Sequence, residues 1–348
     1  MADKTTPAQG GNTPKPAAAG QSAKDQSKAA SRSVSAGGAK GGNAPRPGKG
    51  GQAAPAAPGR SRGTLIAWGA VGLVVVIIAV VVIVAVTRTS TPSNATPVTP
   101  VPGGVLHDVA NVPASVFDKV GVTSTIQVAQ PTVIPGNPPM TLQGHSPAIL
   151  YYGAEYCPYC AAERWPMTVA LARFGTWSNL QITGSSTIDV APNTNTFSYH
   201  GASLESPHIF FKGIEQNTNV PLSNGRGYGI LDNPTKEEAK ILANYSSSKF
   251  LPNASTSGGI SFPFVDINNG MLISGASYDP NVLAGLSWSE IAGGLSDPTN
   301  QVTQAIIATA NYMSAGICQA TKGQPANVCT SSGVQAAAKA LNITIPAG

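Results

Sequence analysis

The sequence predicts an α/β globular body over residues 103–348, preceded by a disordered basic tail, one transmembrane helix and a short linker. Three observations predict it. Residues 1–63 contain no aromatic side chain, an uncharged apolar run of 22 residues follows at 65–86, and 20 of the 21 aromatic residues lie beyond Gly103. Past that point short apolar runs alternate with capped helical segments, as packed α/β domains require.

The charge is divided in the same way. The net charge of +5 resolves into +8 over residues 1–63 and −3 over the rest, so a basic tail is joined to a mildly acidic body. Such a tail does not make a basic nucleic-acid-binding domain, and no nucleic-acid partner is expected. Four cysteines in 348 residues exclude a cysteine-stapled miniprotein. The glycines keep no three-residue period, which excludes a collagen-like chain.

Residues 1–63 are dominated by Ala, Gly, Pro and Ser. They cannot bury enough apolar area to offset an ordering cost of ~1–2 kcal/mol per residue, and are read as disordered. Lys40, Arg46, Lys49, Arg60 and Arg62 could touch acidic headgroups or nucleic acid; the preferred reading is a charged spacer that sets topology. The run at 65–86 spans ~33 Å as a helix, enough for a hydrocarbon core of ~30 Å, and the membrane segment is placed at 64–87 as an uncleaved signal-anchor. Trp68 suits an interfacial anchor, and Arg60 and Arg62 before the span against Arg88 after it put the N-terminus in the cytoplasm. The expectation is a single-pass plasma-membrane protein with its C-terminal body outside the cytoplasm. Residues 88–102, rich in Thr, Ser and Pro, read as an extended linker.

Within the body, residues 148–152 form a short apolar run bounded by Pro147 and Gly153, the signature of a buried strand. Cys157-Pro158-Tyr159-Cys160 follows and opens a helical pattern on which Trp165, Val169 and Ala172 share a face, with Gly175 as its expected stop and Pro166 as an expected kink. A thiolate at a helix N-terminus is stabilised by unpaired backbone N–H groups and the helix dipole. Cys157, at the edge, is therefore the expected nucleophile and Cys160, inside the first turn, the resolving thiol; Pro158 supplies the fixed φ of a first helical position and Tyr159 completes the motif. Three readings compete with redox chemistry: a zinc site shared with Cys318 and Cys329, a purely structural disulfide, and a chance pairing of free thiols. Cys318 and Cys329 enclose a turn-rich loop and are read as a structural disulfide, the alternative being a second redox pair.

Further helices are expected from Asn233-Pro234 into TKEEAKILANY, at Ser287 through a capping box with Glu290, and near Asp297-Pro298. His107, His145, His200 and His208 show no metal-ligand spacing, and no phosphate loop, dinucleotide fingerprint or G-x-S-x-G occurs, so neither a metal nor a cofactor is expected.

A strand, a C-P-x-C at a helix start and a later Pro leading into a strand resemble the thioredoxin superfamily. That resemblance implies a thioredoxin-like fold with a helical insertion and extra C-terminal helices. It also implies that the run from Ile260 to Gly270 holds the family's cis-proline, Pro263, followed by a central strand and the turn into the next strand, MLISG, and that Phe262 presents its backbone to the sulfurs and pairs with a substrate peptide. The run YYGAEYCPYCAAERW, with FSYHGASLESPHIFFKG downstream, is similar to a family of bacterial and archaeal membrane-anchored thioredoxin-like proteins known only as a domain of unknown function. It also resembles thioredoxin-like domains that partner or are fused to membrane quinone-linked thiol oxidases. The family's buried acid has no counterpart here, since Tyr151 stands at its position; Glu155 and Glu163 are the candidates to replace it, or are solvated helix-end charges. The resemblance implies a membrane-anchored thiol-disulfide oxidoreductase acting on protein cysteines, as oxidase or isomerase, with a quinone-linked thiol oxidase as a possible reoxidising partner. The alternative is a non-catalytic envelope interaction protein whose CPYC pair forms a structural disulfide.

Overall fold

The computed structural model of the chain describes residues 95–224, 226–246, 250 and 260–348. The expected tail, the expected span at 64–87 and the first part of the linker lie outside the described residues. Among the described residues no helix is long and apolar enough to cross a membrane.

The elements follow in chain order. The first are β1 (Thr99–Pro100), α1 (Gly103–Ala110), α2 (Ala114–Val120), β2 (Thr132–Val133), β3 (Ala148–Gly153) and α3 (Pro158–Ala172). Next come β4 (Thr176–Ser178), β5 (Gln181–Gly184), β6 (Asn195–Ser198), β7 (Ser203–Glu205), β8 (Phe210–Glu215), β9 (Asn217–Pro221), β10 (Tyr228–Ile230) and α4 (Lys236–Tyr245). The last are β11 (Phe264–Ile267), β12 (Met271–Ser274), a 3-10 turn at Pro280–Leu283, α5 (Trp288–Gly294), α6 (Gln301–Ala320), α7 (Ala326–Cys329) and α8 (Ser332–Ala340). The described chain is thus mixed α/β, with four sheets and eight α-helices.

The main sheet has the order β2-β12-β11-β3-β8. Strands β3 and β8 run parallel, while β11 is antiparallel to β3 and to β12. Its central strands are covered on both faces, which is why AILYYG reads as a continuous apolar run rather than an alternating one. Ile149, Tyr151, Val265, Ile267, Met271 and Ile273 join the larger core with α3 and α6; Ala148, Leu150, Phe264 and Leu272 pack on the other face with Leu242 and Tyr245 of α4. Helix α6 crosses close to the sheet at Gly316, where a Cβ would come within 2.8 Å of the Met271 thioether.

Several local expectations hold and several shift. The strand–turn–strand at 264–274 and the Ser287–Glu290 capping box are present. Helix α4 is capped by Thr235, with Glu238 closing the box, rather than by Asn233. Helix α6 begins at Asn300, whose side chain accepts from the Val302 and Thr303 N–H groups; Asp297 is instead occupied by the Thr299 N–H at 2.8 Å. Gly175 does not stop α3, which ends at Ala172 with Arg173 as its C-cap. A side chain at Gly175 would lie 2.5 Å from the Glu205 carbonyl, so strand packing, not a helix cap, explains that glycine. Residues 95–100, within the stretch read as linker, lie on the body: Thr99 pairs with Ile182, and Asn219 Nδ2 donates to the Thr96 carbonyl at 2.7 Å.

Cys318 and Cys329 form a disulfide between the end of α6 and α7. With 11 residues of separation, the chain-entropy relation gives about 3 kcal/mol of stabilisation. The double replacement Cys318→Ser, Cys329→Ser is expected to lose about that amount in denaturant unfolding followed by circular dichroism, with the CPYC thiols still reactive.

Candidate functional site

Strand β3 ends at Gly153, and four residues later Cys157 caps α3, so the strand delivers the motif to the helix N-terminus. Cys157 Sγ accepts the backbone N–H of Cys160 at 3.3 Å, and Pro158 occupies the first helical turn. Both cysteines are free thiols in the structure. Cys157 retains 6% exposure and Cys160 none, so the outer sulfur is less exposed than an edge position implies yet remains the reachable one. The Cys157 thiol is lowered from its ordinary value, first by the hydrogen bond from the Cys160 side chain, then, against burial, by the Cys160 N–H and the Arg164 charge. Cys160 is pushed well above its ordinary value, first by burial and then by its partner Cys157. The outer sulfur is thus the more readily ionised of the two and the inner one the less so.

The opposing wall comes from β11. The antiparallel register Phe264↔Tyr152 brings Pro263 level with Gly153 at the end of β3 and carries Phe262 beyond it, against the cysteines. The Phe262–Pro263 peptide is cis, and Phe262 packs on the small cluster of Ala154, Cys157 and Cys160 and edge-on to Tyr152. Tyr159 is 45% exposed and borders an open groove of about 690 Å³ that continues along Val190, Ser277, Tyr278 and Asp279.

Glu155 and Glu163 are not solvated; both are buried. Glu155 accepts from the Ser198 hydroxyl at 2.6 Å and lines a separate cavity with His200 and Asn219. Glu163 accepts from the Ser277 N–H at 2.7 Å and its hydroxyl at 2.9 Å, pinning the loop that borders the groove. Burial raises the Glu163 carboxyl to about 7. Neither has a hydrogen bond to a cysteine.

Sequence reading missed one charged group that acts on the motif. Arg164 lies one helical turn beyond Cys160, so it shares its face. Its Nε and Nη2 donate to Glu215 at 2.9 and 2.5 Å, and Nη2 also donates to the Ala154 carbonyl at 2.7 Å; both side chains are fully buried. Burial works against the Arg164 charge and also raises the Glu215 carboxyl, while the Glu215 carboxylate beside it holds the guanidinium above its ordinary value. Glu215 arrives through the parallel register Gly153↔Glu215 at the end of β8. The lone arginine in an apolar helix was the available signal. Its partner, 51 residues on, had none.

Cys318 and Cys329 are bonded to each other, which removes them as partners in a four-cysteine metal site. Among the described residues no group of three or more His, Cys, Asp or Glu side chains is arranged to hold a metal ion.

Fold and site define a mixed α/β protein with a two-cysteine centre at the N-terminus of a buried helix. The chain belongs to the family described as Domain of unknown function (DUF929), whose model matches residues 136–319, more than half of the chain and all of the centre. No curated protein and no solved structure matches it.

Proposed function

We propose that the protein is a thiol-disulfide oxidoreductase of thioredoxin-like fold, anchored by one membrane helix at 64–87, that exchanges disulfides with protein cysteines outside the cytoplasm. The observation that carries this reading is the asymmetry of the pair, a lowered thiol at a helix cap joined to a buried, raised one three residues on. The strand order β8-β3-β11-β12 also supports it, with the motif helix and α6 on one face and α4 on the other. An open groove beside Tyr159, rather than an enclosed pocket, suits a polypeptide substrate.

In the exchange, the Cys157 thiolate attacks a substrate disulfide and forms a mixed disulfide, which Cys160 resolves. Run in reverse, a substrate thiolate attacks Cys157 of the Cys157–Cys160 disulfide and releases Cys160, and a second substrate thiolate then displaces Cys157, so that the substrate leaves as a disulfide. Oxidation or isomerisation suits the compartment, with a quinone-linked thiol oxidase as the reoxidising partner. Replacing Cys160 by Ala in the full-length chain is expected to accumulate mixed disulfides at Cys157 in cells, seen as reductant-sensitive adducts that Cys157→Ser abolishes. No adduct, where a known oxidase traps many, would favour the non-catalytic interaction protein.

A further inference from the structure

Among the described residues, two polar atoms behind the cysteines have no hydrogen-bond partner although both are buried: the Tyr151 hydroxyl and Arg164 Nη1. An unpaired buried donor costs about 1–3 kcal/mol, so a neighbouring pair of them calls for an occupant or a function. The side chains are adjacent, with the guanidinium 5.7 Å from the Tyr151 ring centroid. The hydroxyl also converges on the inner sulfur. A Cβ built on Gly153 would collide with Tyr151 Oη and stand 3.0 Å from Cys160 Sγ, so the two atoms border one small space that only a glycine leaves open.

We propose that Tyr151 Oη, backed by the Arg164 charge, donates a hydrogen bond to Cys160 Sγ whenever that sulfur is a thiolate. This rests on the exchange reading above and assigns the residue that makes its resolving step feasible. Burial raises the Tyr151 hydroxyl well above its ordinary value, so it keeps its proton and acts as a donor rather than an acid. At rest Cys157 disfavours charge on Cys160; once Cys157 is tied up in a mixed disulfide that opposition ends, while Tyr151 and Arg164 remain. The Cys160 thiol then loses its proton to bulk solvent, and its sulfur attacks Cys157 Sγ. The Cys157–Cys160 bond forms, the bond to the substrate sulfur breaks, and that sulfur leaves with the electron pair. In the reverse direction Cys160 is the leaving group, and the same hydroxyl receives its charge.

The test is stopped-flow reaction of the reduced full-length chain with dithiobis-nitrobenzoate. A first thionitrobenzoate leaves when Cys157 attacks and a second when Cys160 displaces the one bound to Cys157. Tyr151→Phe keeps the ring against Tyr199 and removes only the hydroxyl. We expect the second phase to slow about tenfold or more at neutral pH and its pH midpoint to rise by about one unit, the worth of a hydrogen bond to a charged group. An unchanged second phase would overturn the assignment and leave the exchange reading standing. Slowing by one factor at every pH, with a lowered melting temperature, would mean a packing role and overturn it equally. A wild-type chain that releases only one equivalent would overturn the exchange reading and this inference together.

Discussion

Glu215→Ala is expected to cost about 3–5 kcal/mol and to lower the melting temperature by about 10 °C. The substitution leaves the Arg164 guanidinium fully buried without its carboxylate, and it takes the Tyr199 N–H acceptor away as well. A buried charge that loses its partner keeps the whole desolvation penalty, whereas removing both charges returns much of it. The double replacement Arg164→Met, Glu215→Leu should therefore be more stable than Glu215→Ala alone, and calorimetry on the two variants checks the order. The same pair also acts on the thiols. Arg164 lowers Cys160 and Glu215 raises it, so a neutral residue at 215 should make Cys160 easier to ionise even as the fold weakens. Equal stability of the single and double variants would mean that water reaches Arg164.

Much of the site was legible because its signals are local. Strand β3, the CPYC cap, the strand–turn–strand at 264–274 and the Ser287–Glu290 box are each encoded within about a dozen residues, where apolar period, proline, glycine and cap chemistry act. The pairing of Cys318 with Cys329 was readable for the same reason, a short loop rich in turns. What escaped depends on tertiary register. Nothing in FFKGIE announces that its last residue will meet an arginine on another element; that follows from β8 aligning in parallel with β3 across a long insertion. Glu155 and Glu163 read equally well as solvated ends, and only the arrival of Ser198 and Ser277 decides otherwise. The starts of α4 and α6 slipped by a few residues because Asn233 and Asp297, both good caps by type, compete with Thr235 and Asn300 nearby. The linker's last residues looked extended and were, but their pairing with β5 lies in the partner strand and not in their own composition.

Glu163→Gln is expected to stabilise the protein at pH 8 by about 3 kcal/mol and to change little at pH 5. The carboxyl is raised from its ordinary 4.5 to about 7 by burial, with the two Ser277 hydrogen bonds opposing. In the unfolded chain it ionises near the ordinary value, so between about 4.5 and about 7 the folded state holds the extra proton. Its contribution to stability is then complete below 4.5 and is lost as pH rises through 7, the opposite of a salt-bridged carboxylate. Asp266, raised to about 7 by burial in the main sheet, acts in the same window and direction, so the wild type should weaken from pH 5 to pH 8 by more than Glu163 alone accounts for. Glutamine isolates one share. Its carbonyl can accept the Ser277 N–H and its amide can donate to the Ser277 hydroxyl, the pattern of a protonated acid, without a charge to desolvate. Urea unfolding of both proteins at the two pH values reads the difference. A Glu163→Gln variant weaker than wild type at pH 8 would show that the ionised Glu163 gains more from Ser277 than burial costs it.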